Sequence, residues 1–419
     1  GPSRSRGVEN IKIKMTRSGE EIQIKGLPEK ASIGGLALSR DEKYLAFTNT
    51  EANGISLWVV DMSNFEAKKL TDAILNDVYG NVMTWTPDNQ ILIKAVNPGR
   101  GSIPKAPAAP AGPVVQETTG NAAPSRTYQD LLSNPYDEAL FAYFMDSQMM
   151  LVGLDGSKKA VGASGMIKSF DLSPDGSYIL VDVIRKPFSY LVPASRFPYD
   201  VEIWSKEGKK VKTLAEIPLD EERPTGFDAT VTGPRSINWR ADKPAILYWV
   251  EAQDGGDGKV KMEEREIVYT LAAPFSGQKQ KLATTSLRFG GIAWSTDDFA
   301  ILNERWFGAR REIRSVINPS NPSQAKRTII DRSYDDIYND PGDPMYTENQ
   351  YGRNVLLRKG DLLFMTSEGG SPEGSMPFLS TFNAKTKEQN ILWRSQAPYY
   401  ERVVKLLDEE GSEFITVKE

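Results

Sequence analysis

The chain has 419 residues, 39% hydrophobic and 26% charged, which suits either two or three ordinary domains or one repeat architecture with a continuous core. Its 51 basic and 56 acidic residues nearly cancel, to a formal charge of -5, and no basic stripe stands out, which argues against a nucleic-acid partner. No apolar run approaches the roughly 18 residues of a membrane span, so no span is expected.

Cysteine and histidine are both absent. That removes disulfides, zinc–thiolate sites and thiol nucleophiles, and with them any Ser–His–Asp relay or imidazole metal ligand. The opening residues 1–6 hold no apolar segment of the signal-peptide kind, and a Gly-Pro start reads as a protease scar or the edge of a piece cut from a longer protein.

In chain order, the first strand candidates are IKIKM (11–15) and EIQIK (21–25), joined at Ser18-Gly19. A recurring phrase then begins: an apolar strand, a small polar residue, an Asp-centred turn and a second apolar strand. It reads ALSRDEKYLAF at 37–47, VMTWTPDNQILI at 82–93, FDLSPDGSYILV at 170–181, INWRADKPAILYW at 237–249 and IAWSTDDFAIL at 292–302. The turn aspartates are Asp41, Asp88, Asp175, Asp242 and Asp297; looser copies follow at 354–365, with Asp361, and at 403–417. After most copies come two more strands, such as 56–62 with 68–72, 201–205 with 210–216, 265–271 with 279–285 and 377–383 with 389–395. Each shows the period-two alternation of a half-buried strand.

Units of this kind cannot bury their own faces and must stack, and four strands in about 40–50 residues is the size of a propeller blade. The expected fold is an all-β, seven-bladed β-propeller spanning 1–419 as one domain. Residues 8–27 and 402–419 would supply two strands each to one shared blade, closing the ring without an open edge. An eighth, truncated blade built on the N-terminal turn is the other option. Gly34-Gly35 and Gly290-Gly291 precede Asp-turn units at corresponding positions, as crowded inner strands or ordinary strand-end turns would require.

Long insertions follow the second strand of a unit, at 95–147, 184–200, 251–264, 303–311 and 366–376, so one face is elaborated and expected to bind. Within 95–147, the Pro/Ala-rich part from Pro98 to Pro113 is expected to be extended or mobile. A helix then starts with Asn134 as cap and Pro135 at its first position. Its stripe of Leu140, Phe141, Phe144 and Met145 either covers the propeller or docks another domain.

No G-x-S-x-G elbow and no phosphate-cradling glycine loop is present, so no catalytic residue, metal or cofactor is assigned. The acidic clusters at 254–257 and 335–343 lack the order of a calcium loop and read as solvated turns. Arginines on the elaborated face are the candidate substrate-binding residues: Arg185, Arg305, Arg310 and Arg311 in or beside insertions, and Arg235 at the entry to an inner strand. A guanidinium grips a carboxylate through two parallel hydrogen bonds, though ordinary surface salt bridging is the simpler reading of any one of them.

Longer phrases carry a resemblance. Residues 233–244 (GPRSINWRADKP) followed by EAQDGGD at 251–257, TYQDLLSNPYDEALF at 127–141, SRFPYDVEIW at 195–204, DPGDPM at 340–345 and EGGSPEGSMPFL at 368–379 resemble the propeller of glutamyl endopeptidase-like members of the prolyl oligopeptidase family. The resemblance implies a non-catalytic propeller joined to an α/β-hydrolase domain expected after residue 419, which would carry the serine, aspartate and histidine. It further implies a gating role that admits unfolded peptides by size. Preference for cleavage after Glu would draw on Arg185, Arg235, Arg305 or Arg310. The resemblance favours a periplasmic or secreted location, with a plastid one as the other option, and no residue of the chain decides between them. A stand-alone interaction propeller of the TolB type uses similar turns and is the rival reading.

Overall fold

The computed structural model describes residues 7–107, 128–408 and 410–418. The chain is all-β, and it divides into two compact units, residues 1–222 and 223–419. The middle of the 95–147 insertion, with most of its Pro/Ala-rich part, lies outside the described residues, as do residues 1–6.

In the first unit, Ile33–Leu38, Tyr44–Glu51, Gly54–Asp61 and Glu66–Lys69 form a four-stranded antiparallel meander, the first sheet. The second and third sheets are continuous. Met83–Trp85, Ile91–Val96, Asp146–Val152, Lys158–Leu172, Tyr178–Ile184, Tyr199–Ser205 and Lys210–Ile217 run in that order, with Lys158–Leu172 serving both. Its register breaks between Val161 and Gly165, where Gly162 takes φ +70° against the Trp204 ring. A side chain there would collide with the indole, so glycine permits the bend.

Adjacent sheets share cores. Ala46, Leu57 and Val59 of the first pack on Ile91, Ile93 and Ala95 of the second, and Leu92 and Met149 pack on Phe170, Ile179 and Val181 of the third. The strands Gly54–Asp61 and Tyr199–Ser205 are therefore buried on both faces, not half-buried as their alternation suggests. A strand covered on both sides reads as a nearly continuous apolar run.

The second unit repeats the scheme. Pro234–Trp239, Ile246–Ala252, Glu266–Ala272 and Gln280–Thr285 make the fourth sheet; Arg288–Thr296, Phe299–Trp306, Arg311–Ile317 and Arg327–Ser333 make the fifth. Val250 and Val268 pack on Ala300 and Leu302 between them, and Phe299 and Ile301 pack on Leu363 and Met365 of the sixth. The sixth sheet, Leu362–Ser367, Phe378–Asn383 and Gln389–Arg394, has a divided inner strand. Asp343–Pro344 and Arg358–Lys359 pair with opposite ends of Leu362–Ser367, and the hairpin Tyr346–Glu348 with Asn354–Leu356 projects between them. The sequence copy at 354–365 thus contributes only the later piece of that strand.

Lys12–Lys14 with Glu21–Gln23, and Glu401–Leu406 with Phe414–Lys418, are each a two-stranded sheet. Bridges from Val8 to Ile33 and from Lys25 to Glu66 attach the first pair to the first sheet. The Trp393 and Phe414 rings, 5.7 Å apart, attach the last pair to the sixth. The four-stranded blade expected from 8–27 with 402–419 is not established by these pairings.

The turns at Asp41, Asp88 and Asp175 work as small hydrogen-bonded caps. Ser39 Oγ donates to Asp41 and accepts from Tyr44 N, and Ser173 does the same with Asp175 and Tyr178. Asp297 departs from this scheme. Arg358 donates to Ser295 Oγ and to Thr296 Oγ1, Thr296 turns to Asp298, and Asp297 instead meets Arg240 at 3.2 Å and Lys243 at 3.0 Å.

Candidate functional site

Within each unit the Asp turns close one end of the three larger sheets, and the long connections leave from the other. Those after the second strand span 97–145, 185–198, 253–265, 307–310 and 368–377. The insertion expected at 303–311 shrinks to four residues, because strand pairing continues to Trp306 opposite Arg311 and Arg310 closes the hairpin with φ +50°. Helix α1, Pro135–Met145, follows the expected start: Asn134 Oδ1 accepts from Tyr136 N at 2.9 Å and Asp137 N at 3.0 Å. Phe141 meets Phe188 and Phe197 edge-on, and Met145 is buried beside them. Phe141 and Met145 thus cover the third sheet, while Phe144 stays exposed.

In the second unit the connections enclose a buried network of charges. Asp254 and Glu266 have no exposed side-chain surface. Asp254 pairs with Arg265 and with Arg288, whose Nη1 lies 3.0 Å from both Asp254 Oδ1 and Glu266 Oε1. Glu266 also pairs with Arg235 and accepts from Phe289 N at 2.6 Å. The Arg265 guanidinium lies over the Trp306 ring at 4.4 Å. Burial pushes the Asp254 carboxyl up, yet the Arg288 and Arg265 contacts outweigh it and hold it below its ordinary value. Three guanidinium groups face two carboxylates, so the network carries an excess positive charge.

This corrects the reading of 254–257 as a solvated turn. Asp254 is buried, and Gly256 lets the turn close on the chain at Thr230, whose N–H donates to Gly256 O at 2.9 Å. A side chain on Gly256 would meet Thr230 O at 2.1 Å. Of the second acidic cluster, Asp340 and Asp343 pair with Arg332 and Arg314, and Asp336 caps its own turn at Tyr338 N and Asn339 N. Among the described residues no acidic group has the clustering of a metal site.

The candidate arginines separate clearly. Arg185, in the first unit, has its Nε 2.9 Å from Asp200. Arg235 belongs to the buried network. Arg311 forms two 2.7 Å bonds to Asp331 and is fully engaged. Arg310 lies over Phe307 at 4.0 Å, with Nη1 3.3 Å from Tyr334 Oη and Nε 3.5 Å from Asp335. Arg305 is exposed and stacks on the Tyr334 ring at 3.9 Å. No carboxylate among the described residues forms an ion pair with it. Arg305 and Arg310 therefore meet at Tyr334, with Arg235 in the network nearby in the same unit. Arg265, Arg288, Glu266 and Tyr334 escaped the sequence reading. Arg288 enters its inner strand just before Gly290-Gly291, much as Arg235 follows Gly233, and that parallel was the available signal.

No family model matches the chain. It is 36% identical over 409 residues to "Probable glutamyl endopeptidase, chloroplastic" of Oryza sativa subsp. japonica, covering 93% of this chain and 44% of that protein. It is also 36% identical over 408 residues to the protein of the same name from Arabidopsis thaliana, covering 93% and 42%. By sequence, the chain is similar to these glutamyl endopeptidase-like proteins over nearly its whole length. It spans less than half the length of either relative. Among solved structures, it resembles an oligogalacturonate lyase in complex with manganese at 12% identity and a TM-score of 0.45, covering 96% of this chain and 88% of that one. It resembles the β-propeller domain of the Trilobed protease from Pyrococcus furiosus at 10% identity and a TM-score of 0.40, covering 88% and 99%.

Proposed function

We propose that this chain is the non-catalytic propeller of a glutamyl endopeptidase-like serine peptidase, gating peptide access to an α/β-hydrolase domain elsewhere in the same polypeptide. The observation that carries the reading is the span of the similarity. It runs over 93% of the chain yet under half of each relative, and the chain contains no histidine from which to build a serine relay. In this reading residues 1–419 are one domain, closed as a seven-bladed ring by 8–27 with 402–419, and 95–147 is an insertion in it. The elaborated end would face the hydrolase and contribute to substrate selection.

For that selection the geometry favours Arg305. Its guanidinium lies over the Tyr334 ring and has no ion-pair partner among the described residues, so its N–H groups are left to meet a carboxylate. Arg185, Arg235 and Arg310 already have acidic partners and rank behind it. The test is kcat/KM of the full-length peptidase on matched peptides with Glu or Gln before the scissile bond. Arg305→Ala is expected to lower the Glu-over-Gln ratio about tenfold, the effect of losing roughly 1.4 kcal/mol. An unchanged ratio in Arg305→Ala, Arg310→Ala, Arg235→Ala and Arg185→Ala alike would exclude this end of the propeller from selection.

A further inference from the structure

Phe227 is 73% exposed, the most exposed large apolar side chain described. It is nonetheless held in place. Its neighbour Asp228 accepts from Phe307 N at 2.7 Å and Gly308 N at 2.9 Å through its carboxylate, and from Arg288 Nε at 2.7 Å through its carbonyl. The segment is thereby clamped to the hairpin at 307–310, and the Phe227 and Phe307 rings lie 4.3 Å apart. Arg310 covers Phe307 at 4.0 Å and reaches the Tyr334 hydroxyl at 3.3 Å, and Arg305 covers the Tyr334 ring at 3.9 Å. The result is a continuous strip, Phe227–Phe307–Arg310–Tyr334–Arg305.

We propose that this strip is a docking surface for an extended peptide in which a glutamate or aspartate lies beside an aromatic residue. An aromatic ring fixed in water by backbone clamps is pre-organised to stack, because little ordering remains to be done on binding. At the other end, a guanidinium lying flat on a ring turns its N–H edge outward, where a carboxylate takes two bonds. Asp335 occupies one side of Arg310, so Arg305 is the acid reader and Arg310 is the bridge between the two ends. A single-stranded nucleic acid would also suit rings and arginines. Asp335 beside Arg310, Asp331 on the neighbouring Arg311 and the net charge of -5 disfavour a polyanion and favour an isolated carboxylate. The proposal shares Arg305 with the peptidase reading but requires binding only.

Fluorescence anisotropy on the 419-residue chain, with labelled decapeptides centred on Glu-Phe, Gln-Phe and Glu-Ala, tests it. Glu-Phe is expected to bind about tenfold more tightly than either control. Phe227→Ala is expected to abolish the Phe-over-Ala preference while keeping Glu over Gln, and Arg305→Ala is expected to do the reverse. Both residues are exposed, so unchanged melting temperatures are expected for the variants. Equal affinity for the three peptides, no binding, or tighter binding of an oligothymidylate of the same length would overturn the proposal. Because hydrolysis is not measured, the expected pattern stands even if the full-length protein proves to be no peptidase.

Discussion

Arg311 and Arg305 illustrate how little a residue type says until its partners are known. Both stand at the end of one hairpin, yet Arg311 is spent on Asp331 while Arg305 lies over a tyrosine ring and has no ion-pair partner among the described residues. The buried set behind them is more demanding. Arg288 serves Asp254 and Glu266 together, so Arg288→Met leaves two buried carboxylates short of a partner. A loss of about 3 kcal/mol is expected in urea unfolding, and a loss below about 1 kcal/mol would show that the network is loosely coupled. Lys94 of the first unit supplies a pH dependence. Its ammonium is buried and donates to Tyr79 O, and burial holds its pKa at about 8 against 10.5, with Asp77 partly opposing the shift. The unfolded chain keeps that proton up to about 10.5, whereas the folded chain releases it near 8. Between those values the unfolded state binds more protons, so stability rises with pH across that window. Lys94→Met is expected to remove this rise, measured as the difference in urea stability between pH 8 and pH 10. An identical pH profile in wild type and variant would contradict it.

At the scale of elements, the turns were the legible part. A serine or threonine two residues before an aspartate makes a local cap whose partners all lie within a few positions, so Ser39–Asp41, Thr86–Asp88 and Ser173–Asp175 could be read directly. Where a distant residue intervenes, the reading slips. Arg358, about 60 positions on, takes Ser295 and Thr296 and moves the cap from Asp297 to Asp298. The divided inner strand of the sixth sheet and the burial of Asp254 were hidden for the same reason, since their partners are set by strand pairing and not by neighbours. Helix α1 was legible because its cap is local. Asn134→Ala is expected to cost about 1 kcal/mol in thermal or urea unfolding. No change would mean that Phe141 and Met145, and not the cap, hold the helix on the third sheet.

At the scale of the molecule, each unit stacks three antiparallel meanders through shared apolar cores and carries a two-stranded sheet at its chain end. This stacking follows from the sequence, because every copy of the repeat has an apolar face that only its neighbour can cover. Function was less legible, since the arginines and acids of the candidate site come from sheets whose pairing is non-local. The proposed placement of peptidase chemistry outside these residues is tested most directly by labelling with a serine-reactive fluorophosphonate while following hydrolysis of a glutamyl peptide. The full-length protein is predicted to label and hydrolyse, and the 419-residue chain to do neither. Hydrolysis by the purified chain itself, or a full-length protein that neither labels nor cleaves, would contradict the account.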